Sequence, residues 1–135
     1  MKDESYIIDL CDKTLGQVAE RQHRFDFLRG DPGKSVLGRM LPVDAWYPDL
    51  ALVIEYHERQ HTEKVAFFDR RETVSGVGRG AQRALYDQRR RDVLPQHSIS
   101  LVILSYFDFE HRSNKRLLRV AADSDVIRDR LAAFC

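Results

Sequence analysis

The alternation of apolar and polar residues divides the chain into segments with the periods of helices and strands. Apolar residues recur every three or four positions over residues 6–22, which predicts an amphipathic first helix. Residues 24–28, 40–47 and 50–56 either alternate or form short apolar runs, and turn residues separate them. Three consecutive strands with short connections favour an antiparallel meander.

The middle of the chain contains a loop, a helix and a strongly apolar segment. Residues 62–80 are rich in Gly, Ser and Thr, which predicts a loop around a short piece at 65–68. A helix is predicted over residues 81–94, with Pro95 ending it. The nearly unbroken apolar run at 99–107 is typical of a central strand that is covered on both faces. The predicted inward face of the helix consists of Ala81, Ala84, Leu85 and Gln88.

Two appended elements complete the predicted order. Residues 115–121 are predicted as a strand, and Ser124 is predicted to cap a helix that continues to Phe134. The sequence therefore predicts a single α/β domain over residues 1–135. Its order is helix, three strands, helix and strand, followed by a C-terminal strand and helix.

Composition describes an ordinary globular protein. The 135 residues are 43% hydrophobic and 32% charged, so one domain can bury a core. The net charge of +1 does not by itself indicate a nucleic-acid partner. The two cysteines form no CxxC pair, which favours a reducing compartment. No apolar stretch is long enough to span a bilayer, and a soluble cytoplasmic protein without a membrane partner is expected.

Two acids flank the turn at residues 48–49. Asp44 lies in the predicted second strand, and Glu55 ends the apolar third strand, so both can meet at one end of the sheet. Two close carboxylates repel each other unless a divalent cation lies between them, and hard oxygen ligands suit Mg²⁺ or Mn²⁺. Such an ion can polarise a phosphodiester and lower the pKa of a water. Glu20, late in the predicted first helix, could reach the same place.

Two histidines follow the second acid and have two interpretations. Neutral His57 or His61 could serve as the base that activates an attacking water. Residues 57–61 (HERQH) also match the HExxH pattern of zinc peptidases. That pattern needs a helix, whereas the preceding residues 50–54 indicate a strand. A metal nuclease is therefore favoured over a peptidase.

Arginines are concentrated in one part of this nearly neutral chain. Guanidinium groups match phosphate oxygens, so a flexible loop followed by an arginine-rich helix could bind a nucleic-acid backbone. A solvated helix face without a partner is the alternative. The arginines that we expect to contact nucleic acid are Arg70, Arg71, Arg79, Arg83, Arg89 and Arg90.

The run from Val43 to His61 resembles the PD-(D/E)XK restriction-endonuclease-like superfamily, and it is most similar to the very-short-patch repair endonuclease branch. The resemblance covers roughly residues 20–107 and includes the acid on a strand, the Pro-acid turn and the apolar strand that ends in glutamate. The segment at 86–92 (YDQRRRD) is similar to the helix of that branch. The resemblance implies a restriction-endonuclease-like αβββαβ core with a mixed central sheet flanked by helices.

The resemblance also implies roles for individual residues. Asp44 and Glu55 would bind the metal, His61 would act near the scissile phosphate, and Glu20 would be the helical acid of many members. The sequence departs from the superfamily at His57, where a lysine is usual, and the aspartate-glycine pair of the repair branch is missing there. The structural zinc ligands of the repair enzyme also have no cysteine counterparts, so mismatch specificity is not implied.

We therefore expect an endonuclease that uses Mg²⁺ or Mn²⁺ to cleave phosphodiester bonds, with DNA as the substrate. Small nucleases of this kind can act as homodimers, although no oligomer interface is evident in the sequence. The main alternative is a non-catalytic domain of the same fold that binds nucleic acid or another protein.

Overall fold

The computed structural model describes residues 1–32, 38–58 and 79–135, without the side chain of Arg79. The predicted α/β class is confirmed, as is the order of helix, three strands, helix and strand. The elements are α1 (Asp3–Leu15), β1 (Glu20–Arg29), β2 (Met40–Tyr47), β3 (Leu52–His57), α2 (Arg79–Gln96), β4 (Ser100–Ser105) and α3 (Ala122–Arg130). Short 3₁₀ turns at Pro48–Leu50 and Tyr106–Asp108 follow β2 and β4.

The four described strands form one mixed sheet in the order β1-β2-β3-β4. β1 and β2 pair in antiparallel fashion, and so do β2 and β3, which gives the predicted meander. β3 and β4 are parallel, because the chain crosses over through α2 before it returns to the sheet. α2 therefore lies against one face of the sheet.

β4 does not have the central place that its apolar run predicted. Among the described residues it is an edge strand, and β3 lies between β2 and β4. All six residues of β3 are buried, whereas only Leu104 of β4 is buried to the same degree. An apolar run shows that both faces of a strand are covered, but it does not show whether both edges are paired.

Helices cover both faces of the sheet and create two cores. Alternating residues of β3 divide between them: Ile54 packs with α1 and α3, whereas Val53 packs with α2. Glu55 and His57 are two and four residues beyond Val53, so they face α2. The core on the α1 and α3 side includes Ile7, Ile8, Cys11, Tyr47, Leu52, Ile54, Tyr56, Leu104, Ile127 and Leu131.

The first helix is shorter than its apolar periodicity predicted. Gly16 adopts a left-handed φ of 66°, and its N–H donates to the carbonyl of Asp12 as the helix ends. Val18, which continues the helical pattern, is 83% exposed. The prediction that Glu20 lies on the first helix is wrong, because the chain has already turned and Glu20 begins β1 opposite Trp46.

The predicted strand at 115–121 is also wrong. Lys115 and Arg119 have left-handed φ values of 71° and 60°, which an extended strand cannot accommodate. A turn forms instead, closed by a single bridge between His111 and Leu117. The predicted C-terminal helix is present, although it begins at Ala122 and not at Ser124.

The second helix presents a different face to the sheet from the one predicted. Tyr86, Val93 and Leu94 pack against the sheet, whereas Leu85 is 47% exposed. The prediction was wrong because it took the face with small and apolar residues as the inward one. The face that packs against the sheet includes long polar side chains such as Arg90. Pro95 lies in the last turn and does not stop the helix before it. None of the helices in the described ranges is long and apolar enough to cross a membrane.

Candidate functional site

Asp44 and Glu55 meet where β2 and β3 stop pairing. The last residue pair of this ladder is Ala45 with Ile54. Beyond it, the Asp44 amide donates to Glu55 Oε2 at 2.6 Å, and the Tyr56 amide donates to Asp44 Oδ2 at 2.8 Å. Each carboxylate therefore accepts the hydrogen bond that a backbone carbonyl of the facing strand would otherwise take. The two acids lie together at one end of the sheet, as their positions around the turn predicted.

The third acid of this site comes from α1, but it is Glu4 and not Glu20. Gln22 connects it to the pair: its Nε2 donates to Glu4 Oε2 at 3.1 Å and to Asp44 Oδ1 at 3.4 Å. Gln22 has a left-handed φ of 52°, a strained conformation of the kind that is concentrated at functional sites. The side chain of Glu20 is 58% exposed and lies 3.7 Å from His23 Nδ1.

No sequence motif marks Glu4. The helical periodicity continues past Gly16, so the predicted helix included Glu20 near its C-terminal end. The acid that joins the site, Glu4, lies in the first turn of α1. Recognising Gly16 as a C-terminal cap would have ended the helix early and excluded Glu20 from it. The choice of Glu4 then depends on which end of α1 packs near β2, which is a tertiary property.

α2 supplies a buried cation to the same site. Arg90 Nε lies 3.4 Å from Glu55 Oε1, and Arg90 Nη1 lies 3.2 Å from Asp87 Oδ1. Arg90 Nη2 also donates to the carbonyl of Pro42 at 2.9 Å. The side chains of Arg90, Glu55 and Asp87 are only 14%, 7% and 12% exposed. The guanidinium is therefore held between two carboxylates in a largely dry environment.

These groups line one cleft of about 380 Å³. Acids from α1, β2 and β3 form one wall, and α2 forms the other. His57, which ends β3 and is 6% exposed, contributes to the lining. The second predicted histidine, His61, lies outside the described residues. The lining residues are Glu4, Asp44, Glu55, Tyr56, His57, Glu58, Arg83, Tyr86, Asp87 and Arg90.

The cleft holds more negative charge than its surroundings stabilise. Burial, followed by the negative charge of Asp44, raises the pKa of Glu4 to about 7. The same two causes raise the pKa of Glu55 to about 8, although the nearby Arg90 opposes the shift. At neutral pH the site is therefore prepared to take up positive charge, either a proton or a cation.

These shifts predict that the fold loses stability as the pH rises. The folded-state pKa values of about 7 and about 8 lie above the ordinary 4.5, so their stabilising contribution is complete below 4.5. It is lost as the pH rises through 7 and 8, because the ionised acids repel each other. Urea unfolding of the metal-free protein between pH 5 and 9 should show this decline. Glu4→Gln should flatten it, whereas Glu20→Gln should leave it unchanged; an equal slope in all three proteins would contradict the assignment.

The donor set of the cleft suits a hard cation, but it is not a complete protein shell. Within residues 1–32, 38–58 and 79–135, no three His, Cys, Asp or Glu side chains are grouped to hold a metal ion. Mg²⁺ commonly uses one or two carboxylates and completes its octahedral shell with waters and substrate phosphates. The carboxylates of Asp44 and Glu55 fit that mode of binding.

The zinc-peptidase interpretation does not fit the described part of the motif. The HExxH pattern needs its first histidine and glutamate on one helix. His57 instead ends β3, and Glu58 follows the strand. His57 and Glu58 therefore do not have the helical arrangement that the peptidase pattern needs.

The predicted phosphate-binding arginines have different environments. Arg83 and Arg90 line the cleft. Arg89 instead fastens α2 to the end of β1, because it donates to the carbonyl of Arg29 at 3.0 Å and to Asp31 at 2.9 Å. Arg70 and Arg71 lie outside the described residues, and so does the side chain of Arg79, whose backbone begins α2.

The arrangement can bind a hard cation, place it near the buried guanidinium of Arg90 and accept an anionic substrate between α1 and α2. Those are capacities of the side chains described above, and they do not identify a reaction. Comparison of the chain with protein-family models, with curated proteins and with solved structures gave no match.

Proposed function

We propose that this protein is a metal-dependent endonuclease that uses Mg²⁺ or Mn²⁺ to hydrolyse phosphodiester bonds in DNA. The observation that carries the proposal is the pair of facing carboxylates, Asp44 and Glu55, at the point where β2 and β3 separate. A buried arginine on the opposite wall completes a site with positive and negative groups in contact. Phosphoryl chemistry needs both kinds of group.

Each residue of the cleft has a role in this proposal. Asp44 and Glu55 hold the cation, and Glu4 adds negative charge beside them. The cation, when bound, polarises the phosphodiester and lowers the pKa of the attacking water. His57, which lines the cleft, is one candidate to take a proton from that water, and His61 is the second candidate. Arg83 of α2, which lines the cleft, neutralises phosphate oxygens, whereas Arg90 is the counter-ion of Glu55 and Asp87.

The order of elements supports a restriction-endonuclease-like core for this proposal. The elements follow the order that the superfamily resemblance implies: a helix, a three-stranded meander, a crossover helix and a parallel fourth strand. His57 stands where that superfamily usually has a lysine. The buried guanidinium of Arg90 supplies a positive charge 3.4 Å from Glu55, so the site has a cation without that lysine.

A plasmid-nicking assay tests the proposed reaction. We expect the wild-type protein to relax supercoiled plasmid with Mg²⁺ or Mn²⁺, and to lose that activity completely with excess EDTA. The ion is needed because the carboxylates otherwise repel the phosphate that must approach them. Ca²⁺ in place of Mg²⁺ serves as the divalent control. Equal nicking with Mg²⁺ and with EDTA would contradict a metal-dependent mechanism.

A binding domain without catalysis is the second candidate, and one observation favours it. Both carboxylates already have partners, since backbone amides donate to Asp44 and Glu55 and Arg90 lies beside Glu55. A site satisfied in this way can persist as a structural feature. It predicts salt-sensitive DNA binding with no cleavage under any metal condition.

A further inference from the structure

A basic turn lies beside the acid cleft and belongs to none of the predicted arginine clusters. Between residues 111 and 119 the chain carries four Arg or Lys residues and no Asp or Glu. The turn is closed at its base by the bridge between His111 and Leu117. Next to this bridge the amide of Arg112 donates to the carbonyl of Arg116 at 2.8 Å, and at the tip the amide of Lys115 donates to the carbonyl of Arg112 at 2.9 Å. These hydrogen bonds fix the backbone of the turn, and Arg112 and Arg116 are exposed on it.

Two cations of this turn, Arg112 and Arg116, are accessible to solvent. Arg112 is exposed, and no ion pair to it occurs within the described ranges. The Arg116 side chain is 64% exposed and lies 3.5 Å from Asp3 Oδ2. In contrast, Arg89 and Arg90 of α2 are 31% and 14% exposed, and both contact internal carboxylates. Arg112 and Arg116 therefore offer positive charge that an external ligand can reach.

The turn and the cleft are neighbours. A second cavity of about 370 Å³ is lined by Lys2, Asp3, Glu58, Asn114, Lys115 and Arg116. Glu58 lines both this cavity and the acid cleft. Three cationic and two acidic residues line this second cavity, so its lining carries a net charge of +1. Asp3 is buried and already accepts hydrogen bonds from Arg119 and from the Leu117 amide.

We infer that the basic turn at residues 112–116 binds the phosphate backbone of the nucleic acid whose strand enters the acid cleft. The inference rests on the proposed function, because a nucleic-acid strand would enter the cleft as the substrate of the proposed nuclease. The strand would lie across Glu58, with α2 on one side and the turn on the other. An anionic membrane could also attract these cations, but a flat lipid surface does not fit into the neighbouring acid cleft.

Charge reversal at Arg112 tests this inference. Fluorescence anisotropy with a fluorescein-labelled DNA duplex, and with the corresponding single strand, measures binding in EDTA without cleavage. We expect Arg112→Glu to weaken binding about tenfold at low salt and to lower the slope of log K against log salt by about 1. Arg128→Glu is the matched control, since Arg128 is an arginine with a 67% exposed side chain that lies on α3 and not on the turn.

The outcomes separate this inference from the proposed nuclease activity. Loss of binding in Arg112→Glu but not in Arg128→Glu supports the turn, even if the protein never cleaves plasmid. Unchanged DNA binding in Arg112→Glu would contradict the inferred role of the basic turn. Plasmid cleavage would then be tested separately. No DNA binding by wild type at low salt also overturns it. Arg112-dependent binding to phosphatidylserine vesicles, with no binding to DNA, would assign the turn to a membrane.

Discussion

Replacing Glu55 by Gln is expected to reduce metal-dependent plasmid nicking by about 100-fold or more. The substitution keeps the shape of the side chain and leaves an oxygen that can accept from the Asp44 amide, as Glu55 Oε2 does at 2.6 Å. It removes the negative charge that would hold a divalent cation. Nicking rates at saturating Mg²⁺, measured together with circular dichroism of each variant, check the prediction.

The best control for this experiment is another glutamate. Glu20→Gln makes the same chemical change at an exposed position that begins β1, and nicking should be unchanged. Glu4→Gln should give an intermediate loss, because Glu4 lines the cleft and is connected to Asp44 through the side chain of Gln22. Nicking at the wild-type rate by Glu55→Gln would show that the reaction does not require the pair of acids Asp44 and Glu55. A loss in Glu20→Gln as large as that in Glu55→Gln would mean that the effect is not local.

Replacing Arg90 by Met is expected to destabilise the fold by about 3–5 kcal/mol at pH above 8. Arg90 is the cation between Glu55 and Asp87, and all three side chains are less than 15% exposed. Without it, two buried carboxylates lose their counter-ion. The loss should be smaller at pH 6, because Glu55, whose pKa is raised to about 8, can then take up a proton. Urea unfolding at the two pH values measures the difference.

Two further proteins show whether the effect arises from the ion pair. The double variant Arg90→Met with Glu55→Gln should recover part of the lost stability, since one of the uncompensated charges has been removed. Arg128→Met should cost less than about 1 kcal/mol, because its partner Asp125 is 72% exposed and water screens the pair. A pH-independent loss in Arg90→Met, with no recovery in the double variant, would indicate lost packing and not lost charge.

The errors in the predicted elements have a common cause. Residues 15–19 continue the apolar periodicity of α1, but Gly16 takes a left-handed conformation and ends the helix. Lys115 and Arg119 likewise adopt left-handed conformations in a segment that was predicted as a strand. Single backbone angles of this kind do not change the hydrophobic pattern. A prediction made from the hydrophobic pattern alone therefore continues helices and strands into residues where the backbone has already turned.

The arginines illustrate a different limit of sequence. Their clustering predicted a phosphate-binding helix, yet Arg89 binds Asp31 and the end of β1, and Arg90 binds Pro42 and lies beside Glu55. A count of charges cannot separate cations that neutralise internal acids from cations that face outward. That distinction depends on which acids the fold brings to the same place.

The sequence by itself determined the order of the first six elements, the antiparallel meander and the meeting of Asp44 with Glu55. These features depend on short-range patterns: alternation within a strand and a tight turn between two strands. Only the tertiary structure decided that Glu4 joins the acid pair, that Arg90 lies beside it and that the basic turn adjoins the cleft. Those contacts join residues far apart in the chain, and they are set by how α1, α2 and the C-terminal segment pack on the sheet.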